Sequence, residues 1–243
     1  METLQLAEQK VGEIVVADYR TAEVFKKFGI DFCCGGKKPL AKACADKGLN
    51  IAEVEQAIIE KQKNGATTEN ESEFNQWRLD KLVDYILNRH HKYVNESTPI
   101  LLEFTTKIAR VHGQDHPELM EIKELFFKLA EELHNHMMKE EHVLFPFIKN
   151  LAEAKESNVT FLGQRGIQNP ISVMEHEHDI AGELMEKIKT LSSNFQFPVN
   201  ACNSYRFTFQ KLKEYEDDLH QHIHLENNIL FPKAVELEKE LTQ

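Results

Sequence analysis

His134–Pro146 reads HNHMMKEEHVLFP, and His220–Pro232 reads HQHIHLENNILFP. The two stretches share the formula H-x-H-x-x-x-E-x-x-x-L-F-P, lie 86 residues apart and agree at six of thirteen positions. A residue and its fourth successor lie on one face of an α-helix, so His136 pairs with Glu140 and His222 with Glu226. Each pair extends an apolar stripe. Ile122, Phe126, Leu129 and Leu133 lead to the first pair and Leu144 follows it; Phe207, Leu212, Tyr215 and Leu219 lead to the second and Leu230 follows it. The spacing therefore predicts two carboxylates facing a core. An unpaired carboxylate there is costly or takes up a proton. Two of them, each beside an imidazole, point to shared metal ions, with carboxylates bridging and imidazoles as terminal ligands. That donor set suits iron, manganese or zinc.

The rest of the chain supplies two more helices of the same kind. From Phe74 a first stripe carries Val83, Leu87, His91 and Val94, with Pro99 in its path expected to kink or break the helix. Pro117 suits the start of a second helix. After a loop over 154–169, a third stripe carries Met174, His178, Ala181, Met185 and Ile188, and a turn over 192–200 leads to the fourth. His91 and His136 lie 23 and 22 residues from a turn near 114, and His178 and His222 lie 19 and 25 from one near 197. One histidine per helix thus falls at comparable depth in an antiparallel up-down-up-down bundle. Periodicity alone leaves His90 and His91 as alternatives. His134, His142, His176, His220 and His224 fall on other faces and are expected to meet solvent or an outer layer. Glu132 and Asp218 stand one turn before the two His–Glu pairs, placed to orient an imidazole or shuttle protons.

A smaller unit precedes the bundle. Three helices are expected in it: one from Thr21, one from Pro39 to Gly48, and one opened by Asn50 with Glu53. The stretch NGATTENESE lacks large apolar residues and reads as a linker. The expected organisation is a front unit over 1–64, a linker over 65–73 and the bundle over 74–243. Cys33 and Cys34 fall in the turn DFCCGGKK, where Lys37, Lys38 and a following helix are expected to lower a thiol pKa. The fold class is all-α.

The 243 residues carry a net charge of −11, which excludes nucleic-acid binding through a basic face. No apolar run is long enough for a membrane span, and METLQLAEQK has no signal-peptide pattern. A cytoplasmic location is expected, and four cysteines without a paired spacing fit a reducing compartment.

The stretches HMMKEEHVLFP, PISVMEHEHDIAGEL and DLHQHIHLENNILFP, with DFCCGGKKPLAKAC ahead of them, resemble the iron–sulfur cluster repair di-iron proteins, the RIC family of hemerythrin-like domains. The resemblance covers nearly the whole chain, with both modules in order. It implies two non-haem iron ions bridged by carboxylates and an oxo or hydroxo group. The ligands it implies are His91, His136, His178 and His222 with Glu140 and Glu226, so it selects His91 over His90. A further histidine of the family pattern falls at His112, 21 residues beyond His91, and stays outside that set. The function implied is repair of iron–sulfur clusters damaged by oxidative or nitrosative stress, by donating iron or by reducing nitric oxide. Glu132, Cys33 and Cys34 are the residues expected to assist. Damaged iron–sulfur proteins are the implied partners, and nitric oxide or oxygen the small ligand. The front unit is free to dock on its own bundle or on a second chain, as in a homodimer. The competing expectation is an oxygen- or nitric oxide-binding sensor or carrier; a structural zinc site is a third.

Overall fold

The computed structural model describes residues 3–63, 74–158 and 166–242. Expectations for the linker over 65–73 and for the middle of the 154–169 loop lie outside the described residues. Four long helical rods form an antiparallel bundle, and no strand occurs among the described residues. The first rod is α6 (Leu79–Ile86) and α7 (Lys92–His112) joined by a π turn at Leu87–His91. The second is α8 (Glu118–Lys139) and α9 (Phe145–Glu156) joined by a π turn at Glu140–Leu144. The third is α10 (Gln168–Leu191). The fourth is α11 (Asn203–Leu225) and α12 (Phe231–Thr242), joined by a π turn at Glu226–Leu230.

The widened turns have a local cause in two of the three cases. Pro146 and Pro232 stand two residues beyond the last residues of the turns at 140–144 and 226–230. A proline cannot donate to the carbonyl four residues before it, and its ring crowds that carbonyl. A turn with a longer hydrogen-bond spacing absorbs both effects, so the L-F-P ending shapes the backbone beside each glutamate. Such turns are frequent at functional sites. Pro99, by contrast, was expected to kink or break its helix; α7 runs unbroken through it. The flanking Val94, Ser97 and Leu101 are buried, and Thr98 bonds to Tyr215 at 3.0 Å, so tertiary contacts hold the helix across the missing donor.

The front unit departs from the expected three helices. It has five short ones among the described residues: α1 (Thr3–Glu8), α2 (Val11–Ala17), α3 (Ala22–Phe28), α4 (Leu40–Asp46) and α5 (Ile51–Lys63). Helices of six and seven residues are too short to show a periodicity, and this pair is held by neighbours, as where Val11 N–H donates to the Lys38 carbonyl. The unit lies across the third and fourth rods. Lys37 meets Glu175 and Lys26 meets Asp217, both at 2.6 Å. Asn228 donates to the carbonyls of Phe32 and Cys33. A Cβ at Gly12 or Gly36 would come within 2.2 or 2.6 Å of Asn228 Oδ1, so this approach requires glycine.

Docking corrects the reading of the fourth rod's outer face. His224 is buried and His220 half-buried, because Phe32 packs its ring against both and Tyr19 packs against His224. His134 and His142 are exposed, as expected.

The apolar interior falls into two clusters. One joins the front unit to the half of the bundle containing Val94, Met137, Ala181 and Leu219. The other joins Ile86, Leu144, Met174 and Ile229. His91, Glu140, His178 and His222 stand between these pairs along their rods, so a polar layer separates the two cores.

Burial lowers the pKa of His224 and of His220 to about 4 each. The unfolded chain takes up these protons near 6.5 and the folded chain only near 4, so the stability they give is present above the former value and lost as pH falls toward the latter. His224→Phe keeps the packing against Phe32 and is expected to reduce the fall in Tm between about pH 7 and pH 5. A fall equal to that of the unaltered chain would show that His224 titrates normally in the fold.

Candidate metal centre

The structure brings the six predicted ligands together. His91, Glu140, His222 and Glu226 form one group, and His136, Glu140, His178 and Glu226 form another, with ligand atoms inside each group all within 4.8 Å of one another. The two carboxylates belong to both groups. All six residues are buried, Glu140 and Glu226 completely.

Every candidate histidine turns Nε2 inward. His91 Nε2 and His136 Nε2 lie 3.3 and 3.2 Å from Glu140 Oε2. His178 Nε2 lies 3.0 Å from Glu226 Oε2, and His222 Nε2 lies 2.9 Å from Glu226 Oε1. The outward Nδ1 atoms of three rings are held by a neighbouring rod. His91 Nδ1 donates to Glu141 at 2.8 Å, His136 Nδ1 to Glu177 at 3.1 Å, and His178 Nδ1 to Asn227 at 2.9 Å. These acceptors fix the proton on Nδ1 and leave Nε2 as a lone pair in the neutral ring. His136 Nε2 and His178 Nε2 then face each other at 3.0 Å. Two lone pairs at that distance repel unless a cation lies between them.

The carboxylates make the same demand. Both oxygens of Glu140 and Oε2 of Glu226 are buried without a hydrogen-bond donor. Buried polar atoms almost always have partners, so these orphans fit a group that binds carboxylate oxygen and imidazole nitrogen together. Protons satisfy the demand in the metal-free chain. Burial alone would lower the pKa of His136, but Glu140 and Glu177 outweigh it and raise it to about 10. The His136 hydrogen bond in turn lowers Glu177 to about 2. Burial and the Glu226 charge push Glu140 upward, and His136 and His91 more than reverse this.

His90 and His91 are both buried, because the π turn directs successive residues inward. His91 joins the cluster. His90 instead bonds Asp218 through Nδ1 at 3.1 Å and stacks on the His222 ring at 5.4 Å. Asp218 therefore orients His90, and His222 Nδ1 has no partner. Glu132 is half-buried, and no hydrogen bond or ion pair joins it to the cluster among the described residues. His112 bonds Cys202 at 3.2 Å near the bundle's far turn, apart from both groups.

The cysteine turn differs from expectation. The hydrogen bond with Cys34, burial and the Asp31 carboxylate push the Cys33 thiol well above its ordinary pKa, where a lowered value was expected. Lys37 and Lys38 pair with Glu175 and Asp46, and Asp31 faces the sulfur instead.

Sequence reasoning missed Glu141, Glu177 and Asn227. A signal was present: each directly adjoins a predicted ligand, being the residue after Glu140, before His178 and after Glu226.

Residues 82–234 match the hemerythrin HHE cation binding domain, and residues 7–62 match a domain of unknown function, DUF542. The iron-sulfur cluster repair protein YtfE of Musicola paradisiaca is 38% identical over 231 residues, covering 94% of this chain and 96% of that protein. A probable iron-sulfur cluster repair protein of Haemophilus influenzae is 35% identical, covering 96% and 99%. The YtfE protein of Escherichia coli O81 is 38% identical, covering 94% and 97%. Full-length likeness at this level, with a buried His–Glu cluster inside the matched domain, shows that the chain belongs to the hemerythrin-like iron–sulfur cluster repair proteins.

Proposed function

We propose that this chain repairs damaged iron–sulfur clusters with a di-iron centre carried in its polar layer. His91 and His222 would hold one iron ion, His136 and His178 the other, and Glu140 and Glu226 would bridge the pair. The sharing of both carboxylates by two four-residue groups carries this reading. Bound there, iron supplies redox and Lewis-acid chemistry. The residues hold that site ready: Glu141, Glu177 and Asn227 fix the ring tautomers, and two apolar cores shut water out from above and below. Each ion would have only two histidines of its own, leaving coordination positions free. Free positions favour a centre that exchanges metal or binds a small ligand over a closed structural site.

Two chemistries satisfy the repair reading, and they differ in whether iron leaves the chain. In one, iron is cargo delivered to a damaged cluster. In the other, two nitric oxide molecules, two electrons and two protons give nitrous oxide and water. Protein purified without oxygen is the material to test. Iron lost to an apo-cluster acceptor without nitrous oxide shows donation, and catalytic nitrous oxide with iron retained shows reduction. Failure of both would overturn the repair reading.

Glu140→Leu and Glu226→Leu are each expected to lower iron content sharply, measured by metal analysis after chelator washing; full retention in both would sink the bridged centre. Glu177→Ala frees the His136 ring. It is expected to weaken metal affinity about 10–100-fold in a chelator competition while helix content stays unchanged.

A further inference from the structure

We infer that Asp31, Cys33 and Cys34 form a second metal site, in the front unit, for one thiophilic divalent cation such as iron(II) or zinc. A carboxylate oxygen and both sulfurs lie within 4.8 Å of one another. No metal is required in the bundle for this geometry, so the inference is independent of the di-iron reading.

Asp31 builds the turn that makes the site. Its Oδ1 accepts the backbone N–H groups of Cys33 and Cys34 at 2.9 and 3.1 Å, and its Oδ2 accepts that of Gly35 at 2.8 Å. Neighbouring residues ordinarily point their side chains apart, and this folded loop returns both sulfurs to one carboxylate. Cys33 Sγ donates to Asp31 Oδ1 at 3.2 Å. Both thiols are free. An asparagine has one acceptor oxygen, so only a carboxylate caps all three backbone groups and also brings a negative charge beside the thiols. The carboxylate beside two thiols adds a hard, anionic donor to two soft ones, which is a set for a borderline transition metal.

The turn packs against the bundle, with Asp31 exposed. Cys33 is buried and Cys34 half-buried. Cys34 Sγ lies against Gly182 of α10, where a Cβ would come to 3.6 Å and any longer side chain would reach the sulfur. The Cys33 carbonyl accepts from Asn228, and Asn227 next to it holds the His178 ring. A cation at the cysteine turn would therefore sit one asparagine pair from the bundle's polar layer. Binding exchanges the two S–H protons for the cation: two metal–sulfur bonds form, and both protons leave to solvent.

Cobalt(II) tests this on the full, metal-stripped chain under anaerobic conditions. Thiolate ligation gives a near-ultraviolet charge-transfer band that histidine and carboxylate ligands do not. One equivalent with that band is expected in the unaltered chain and in the Glu140→Leu/Glu226→Leu variant. The band should vanish in Cys33→Ser/Cys34→Ser, while the visible bands of cobalt in the bundle remain. Asp31→Asn removes the charge and the cap on Gly35 while keeping one acceptor oxygen for Cys33 and Cys34, and is expected to weaken this site by at least roughly tenfold. No band in the unaltered chain, or a band that survives the double serine variant, would overturn the site. Loss of bundle cobalt with the thiolate band intact would count against the di-iron reading alone.

Discussion

Two carboxylates buried with almost no hydrogen-bond donors set the terms for the rest of this structure. Glu140 and Glu226 are wholly enclosed, and three of their four oxygens receive no donor. Charges so placed are tolerated only when something positive meets them. Four imidazoles converge on them from four rods, and the carboxylates raise the pKa of two, His91 and His136, so that protons there supply charge in the metal-free chain. The bundle must therefore be closed, level and dry at one depth. The two apolar cores on either side provide this, since neither alone would exclude water from the layer between them.

Most of that layer was legible in the sequence, because the helix period is stiff. The four-residue spacing of His136 to Glu140 and of His222 to Glu226 fixes both pairs on inward faces whatever the loops do. The depth of His91 and His178 follows from helix rise and two turns. Legibility ended where the backbone left the α period. The π turn at Leu87–His91 has no proline to announce it, and it buries His90 along with His91. Glu141 and Asn227 lie in the other π turns, where α periodicity misplaces side chains.

Tertiary contact hid the remainder. His224 reads as a residue of solvent or of an outer layer, and only Phe32 and Tyr19, arriving from the front unit, decide between the two. Cys33 and Cys34 read as activated because Lys37 and Lys38 are their neighbours in sequence. In the fold those cations turn to Glu175 and Asp46, and the group beside the thiol is an anion. Charge proximity along a chain is a poor guide inside a tight turn, where the capping side chain decides which groups face one another.

The partners of the ring nitrogens carry a consequence for how the molecule is put together. The second rod steadies the histidine of the first, the third that of the second, and the fourth that of the third; His90 of the first then stacks on the ring of the fourth. Among the described residues, no rod orients its own candidate ligand histidine through Nδ1. A half-assembled bundle would thus present imidazoles free to spin, with little reason to prefer one tautomer. The shared donor layer is complete only when the last rod closes the ring, so its assembly and completion of the fold are one cooperative event. Parting a single pair of neighbouring rods would loosen both four-residue groups together, since Glu140 and Glu226 belong to each.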